Sequence, residues 1–281
     1  MKTLKYDEIG YWSEVKLDII KDYVAAYTTV MAGQKKARFQ YIYIDAFAGA
    51  GQHVSKRTGE FVPGSPVNAL NIPQPFLEYH FIDINNLKVA GLEAASREHK
   101  NVFIYNGDCN KIILDDVFPR TRYEDYKRAI CNLDPYGLHL DWGIIKKAGE
   151  MKSVEIFLNF PIMDINRNVL KHDKDKVDNE QVSRMNRFWG DESWRQCGYA
   201  ESQQGNMFGE TENEKVTNEQ FEQAFRKRLK EVAGFKFVPE PMPMRNSNNT
   251  VVYYLYFATQ NVTGEKIIKD IFKKYLQRRE V

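Results

Sequence analysis

At 281 residues, with 43% hydrophobic and 28% charged side chains, the chain has ordinary globular composition and enough length to bury one large core or two small ones. Its net charge of +2 excludes global basicity as a mode of nucleic-acid binding, while a local basic face stays compatible with it. Cys109, Cys131 and Cys197 are scattered and the histidines share no ligand spacing, so neither a disulfide framework nor a metal site is expected. No secretory signal core opens the chain and no apolar run reaches roughly 18 residues, so the expectation is a cytoplasmic protein with no membrane segment.

The first helix is predicted over residues 14–32, where Leu17, Ile20, Val24, Tyr27 and Met31 recur at three- and four-residue steps and Gly33 follows. After a basic linker (Lys35, Lys36, Arg38) comes a short aromatic and β-branched run, residues 39–45, read as a buried strand running into a glycine turn. A polar loop of about a dozen residues leads to Ser65, placed to cap a helix that starts at Pro66. Further strands are predicted over 78–83, 102–105, 128–133 and 154–159, with helices carrying Leu87 to Ala94 and Trp142 to Met151 between them.

Five strands alternating with helices point to a doubly wound α/β sheet with parallel pairing. Residues 164–232 are highly charged and lack β-branched runs, which marks a helical insertion within one domain spanning 1–281. Residues 235–238 and 251–257 then read as two strands joined by a turn-rich connector. No helix fits between them, so they should pair as an antiparallel hairpin, before a last helix from Thr263 or Gly264 to Glu280.

Ligands of open α/β sheets bind beyond the carboxyl ends of the strands. After the first strand lie Asp45, Phe47, Gly49 and Gly51; glycine lets a backbone approach a ligand closely, or simply packs a helix against the sheet. After the second lies Asp83, a carboxylate suited to accept from both ribose hydroxyls, or else a solvated strand end. After the third lies Asp108, in an Asn-Gly-Asp stretch that also suits a plain turn.

Five parallel strands followed by an edge hairpin resemble the class I methyltransferase order, seven strands in all. Asp-x-Phe-Ala-Gly-x-Gly is similar to the cofactor loop of nucleic-acid and related methyltransferases. The resemblance implies S-adenosylmethionine, with Asp45, Phe47, Gly49 and Gly51 at its methionine end, Asp83 at the ribose, and Asp108 with Cys109 at the adenine. The thirty-odd residues from Gly51 to Asp83 and the missing third glycine argue against nicotinamide binding. After the fourth strand, Asp134-Pro135-Tyr136-Gly137 resembles the segment with which amino-group methyltransferases hold a flipped base. That implies acceptor contacts from Asp134, Pro135 and Tyr136. One proline stands where those enzymes have two, closer to the Asp-Pro-Phe-Gly of some tRNA guanine-N2 methyltransferases. The competing reading is a turn with Asp134 capping the next helix.

A more specific resemblance joins Lys16-Leu17-Asp18-Ile19-Ile20, Tyr43 to Gly49, Gly64-Ser65-Pro66, Asp134 to Leu138, Asn159-Phe160-Pro161, Arg167-Asn168 and Phe188-Trp189-Gly190. Together these resemble the bacterial three-Cys-motif partner family, which implies a methyltransferase-like fold and a protein partner bearing three cysteines. A methyltransferase acting on a nucleic-acid base (DNA or RNA) is therefore expected. The alternative is a non-catalytic module of the same fold working with that partner. Arg167 either holds a phosphate or pairs with an acid of the insertion. Phe188, Trp189 and Trp194 either stack on a base or anchor the insertion. The last helix should bury Ile267, Ile268, Ile271, Phe272, Tyr275 and Leu276, and its Lys266, Lys269, Lys273, Lys274, Arg278 and Arg279 form a solvated face or meet a phosphate backbone.

Overall fold

The computed structural model describes residues 4–34, 39–171, 177–201 and 213–277. The chain opens with β1 (Glu8–Ile9) and α1 (Tyr11–Ala32), then β2 (Gln40–Asp45), a hairpin of β3 (Gln52–Ser55) and β4 (Phe61–Pro63), and α2 (Ser65–Leu70). Next come β5 (Glu78–Asp83), α3 (Asn86–Ala95), β6 (Val102–Asn106), α4 (Cys109–Ile112), β7 (Lys127–Leu133), α5 (Trp142–Met151) and β8 (Val154–Phe160). The insertion holds α6 (Ile162–Asn168), α7 (Asn179–Trp189), α8 (Trp194–Gly198), β9 (Tyr199–Glu201), β10 (Asn213–Lys215) and α9 (Asn218–Glu231). The last elements are β11 (Met242–Arg245), β12 (Val251–Ala258) and α10 (Val262–Leu276).

The main sheet has seven strands in the order β11-β12-β8-β7-β2-β5-β6. β8, β7, β2, β5 and β6 pair in parallel, and β12 is antiparallel to both β8 and β11. This is the class I methyltransferase fold, with its antiparallel edge hairpin. The middle of the five parallel strands, β2, buries Ile42, Tyr43 and Ile44 completely, as a parallel strand covered on both faces must. Alternate residues serve opposite cores. Ile42 and Ile44 face a core shared with α5 and the insertion, and Tyr43 faces one built with α1, α2 and α10.

Four expectations need correction. The hairpin's first strand is Met242–Arg245, because Asn246 and Asn249 close a tight turn immediately before β12 and pairing runs back from it. Pro243 is tolerated there because β11 is an edge strand, and Phe237 makes only an isolated bridge to Thr259. The polar loop after the glycine turn is the β3–β4 hairpin, joined by β1 into a three-stranded sheet. The insertion includes the β9–β10 hairpin and is not wholly helical. On α10, Ile268, Phe272 and Tyr275 are buried as expected, whereas Leu276 is exposed. Arg278, Arg279 and the linker Lys35, Lys36 and Arg38 lie outside the described residues.

The insertion docks through aromatic rings. Phe225 of α9 stacks on Phe160 at 4.4 Å and also meets Phe188, Trp189, Trp142 and Tyr256. Phe188, Trp189 and Trp194 are fully buried in this core, so they anchor the insertion and no base reaches them. Phe225→Ala should therefore cost about 3–5 kcal/mol in denaturant unfolding, the range for deleting a buried ring.

Candidate functional site at the carboxyl edge of the sheet

Strand periodicity assembles a polar cluster on the α1 side of the sheet. Asp45 ends β2 and pairs in register with Asn132 on β7, and Leu133 pairs with Leu158, so Asp134 stands beside Asn159. Asn132 donates to Asp45 Oδ2 at 3.2 Å and to Ser65 Oγ at 3.3 Å, and the Phe47 amide donates to Asp45 Oδ1 at 3.3 Å. Ser65 was expected to cap α2, but its hydroxyl is turned into this cluster and makes no cap bond. Burial pushes the Asp45 carboxyl up to about 6, against the hydrogen bonds from Ser65 and Asn132 that favour its charge.

Lys16 enters the cluster from α1 and ion-pairs with Asp134. Burial disfavours its ammonium, yet the Asp134 carboxylate overrides this and holds the lysine above its ordinary value. Asp134 also accepts from Asn159 Nδ2 at 2.8 Å, and its side chain remains 30% exposed. It does not cap a helix. Lys16, Asn132 and Asn159 had no role assigned from sequence, and Ser65 only that of a helix cap. A lysine breaking the apolar face of α1 was the one legible sign.

The glycine turn lies beside this cluster. Gly49 and Gly51 are both left-handed, at φ 64° and 79°. A Cβ on Gly51 would press on Val67 and Leu92 at 3.1 and 3.3 Å, so that glycine serves packing. A Cβ on Gly49 would meet nothing within 4 Å, and its amide donates to Asp83 Oδ2 at 2.9 Å. Asp83 also accepts from the Asn85 amide, and its neighbour Ile84 is 75% exposed. Asp108 is exposed and caps α4 by accepting from the Asn110 amide. Cys109 is buried in the core behind it, and burial pushes its thiol up to about 12. Phe47 packs partly buried against that core.

After β7, Pro135 is buried and Tyr136 projects with its side chain 91% exposed. Asn110 pins the following residues, donating to the His139 carbonyl at 3.0 Å and accepting from the Asp141 amide at 2.8 Å. The α4 turn and the loop after β7 are thus one hydrogen-bonded unit. Arg167 is exposed and has no ion pair among the described residues, while Asn168 donates to Asp164. On α10, Lys269 and Lys274 pair with Glu265 and Asp22. Among the described residues no metal-binding cluster occurs, and no helix is long and apolar enough to cross a membrane.

Neither a family model nor a curated protein matches the chain. Among solved structures, it is similar to protein LPL1258 of Legionella pneumophila, with a TM-score of 0.52 and 12% identity over 92% of this chain and 90% of that one. The methyltransferase domain of a bacterial CtHen1 aligns at a TM-score of 0.40 and 11% identity, over 86% of this chain and 99% of that one. The N-terminal domain of EvdMO1 with SAH bound aligns at 0.42 and 12%, over 85% and 80%. At 12% identity the likeness to LPL1258 is one of fold.

Two outcomes follow from the cluster. Lys16→Met should cost about 2–3 kcal/mol in denaturant unfolding, below the ~3–5 of a fully buried pair because water reaches Asp134. Lys16→Met with Asp134→Asn should recover most of that loss. For Asp45, a folded value raised above the unfolded one stabilises the protein at low pH, and the contribution is lost as pH rises through about 6. Asp45→Asn should gain about 2–2.5 kcal/mol on the wild type between pH 4 and 7, read as the difference of their unfolding free energies.

Proposed function

We propose that the protein is an S-adenosylmethionine-dependent methyltransferase that acts on an amino group of a nucleic-acid base. The observation that carries this reading is the pairing of Gly49 with Asp83. A left-handed glycine with open space where a side chain would stand is tied by its amide to the carboxylate at the next strand end. The cofactor fits these residues. Gly49 presents bare backbone, Asp83 keeps lone pairs for ribose hydroxyls, and the exposed Ile84 offers an apolar face to the adenine. Asp108 would take the adenine amino group, with Asn110 holding that turn against the acceptor loop. Asp45 would act from beneath, fixing the Phe47 amide and hence the turn's path; Cys109 would pack below the ring and Gly51 would seat the turn on α3.

The bound cofactor supplies an electrophilic methyl group. The chain's own part is to orient the acceptor and exclude water. Asp134 accepts an amine N–H and takes the proton that N-methylation releases. Lys16 and Asn159 hold its two oxygens in place. The buried Pro135 fixes the path of the chain, and the Tyr136 ring stacks on the base. The quoted motifs further support membership of the three-Cys-motif partner family, with a three-cysteine protein as partner.

Calorimetric titration should show S-adenosylmethionine binding with no binding of NAD, and Asp83→Ala should weaken the former at least tenfold. Unchanged binding in that variant sinks the cofactor assignment. With tritiated cofactor, label should enter tRNA or DNA, and Asp134→Asn should abolish it while the cofactor still binds. Absence of label from every pool, with a three-cysteine partner supplied, favours the non-catalytic module.

A further inference from the structure

The loop that carries Tyr136 ends against a cation that forms no ion pair among the described residues. Arg184 of α7 reaches across to it, and its Nη2 donates to His139 Nε2 at 2.9 Å. The same Nη2 lies 3.6 Å from where a Cβ on Gly137 would stand. Gly137 is left-handed, at φ 60°, so the loop folds back onto the guanidinium where a side chain would crowd it. The rest of that guanidinium is poorly used. Nη1 makes a long contact of 3.4 Å to Gln181, and Nε is buried without a partner.

Among the described residues Arg184 forms no ion pair. The Asp164 carboxylate lies beside it without pairing: its Oδ2 is 3.1 Å from that same Cβ position on Gly137, and its Oδ1 accepts from Asn168 at 2.9 Å. A half-buried guanidinium with five donors and one good neutral acceptor is an anion site in waiting, because its charge and remaining donors favour an oxyanion over water. One neighbour says which anion. Tyr136, the residue before Gly137, presents a nearly bare ring. A planar ring beside a free guanidinium matches a base beside its own phosphate.

We infer that Arg184 binds a backbone phosphate of a single-stranded polynucleotide whose base lies on Tyr136. The choice of polynucleotide rests on the proposed function; the anion site rests on Arg184 itself. It also gives the insertion a task, since α7 brings to the acceptor loop a charge that the sheet lacks. A single strand is favoured because a base can leave its stack to lie on an aromatic ring without unpairing.

Fluorescence anisotropy with labelled single-stranded DNA and RNA of about 12 nucleotides, titrated across roughly 50–200 mM salt, tests this. Arg184→Gln should weaken binding about five- to tenfold for every sequence and make the log–log salt slope shallower by about 0.7, one phosphate contact on a single strand. Arg184→Lys should keep the slope, and Tyr136→Ala should weaken binding without changing it. Melting temperature checks that each variant is folded. Binding by Arg184→Gln equal to wild type, or weakened with the wild-type slope, overturns the inference. So does a wild type that binds neither strand, and calorimetric S-adenosylmethionine binding then shows separately whether the methyltransferase reading stands.

Discussion

The ion pair between Lys16 and Asp134 is the constraint around which the carboxyl edge is organised. A lysine on the buried face of α1 is tolerated only because a carboxylate at the end of β7 meets it, and that meeting fixes both partners. From Asp134 the order passes to Asn159 on β8. A parallel set runs from Asp45 through Asn132 to Ser65 on α2. The N-terminal helix is therefore part of the site's framework. It is held from below as well, where the Tyr23 hydroxyl donates to the buried Glu155 at 2.5 Å and Thr259 donates to the same carboxylate at 2.7 Å.

Around this anchor the edge divides in two. On one side Gly49, Asp83, Ile84 and Asp108 present bare backbone, carboxylates and one exposed aliphatic side chain, the surface that the proposed cofactor would use. On the other, Asp134 meets Lys16 of α1, and the loop beyond it meets Arg184 of the insertion at His139. Asn110 bridges the halves, because one side chain bonds both the Asp108 cap and the His139–Asp141 backbone. The Asp108 turn is thereby tied to the loop after β7 through hydrogen bonds of 3.0 and 2.8 Å.

Much of this was legible in the sequence, for physical reasons. The five parallel strands announced themselves because a strand covered on both faces must be continuously apolar, as in Tyr41 to Ile44, and the acids beyond them mark where that burial stops. The hairpin's first strand was misplaced because Met242–Arg245 carries a proline and reads as a turn; only its edge position makes it a strand. Ser65 looked like a helix cap because local spacing permits one. The demand of a buried Asp45 for donors overrode that choice, and such a demand arises only in three dimensions. The Arg184 contact was hidden for the same reason, since nothing local links residue 184 to residues 137–139.

The central claim is that the Gly49–Asp83 turn is an adenosyl site, and amide chemical shifts test it most directly. In a 1H–15N spectrum with S-adenosylhomocysteine added, the account predicts shifts concentrated at Gly49, Gly51, Asp83, Ile84 and the Asp108–Asn110 turn, with α9 and α10 unmoved. An unchanged spectrum, or shifts gathered elsewhere on the molecule, would contradict it.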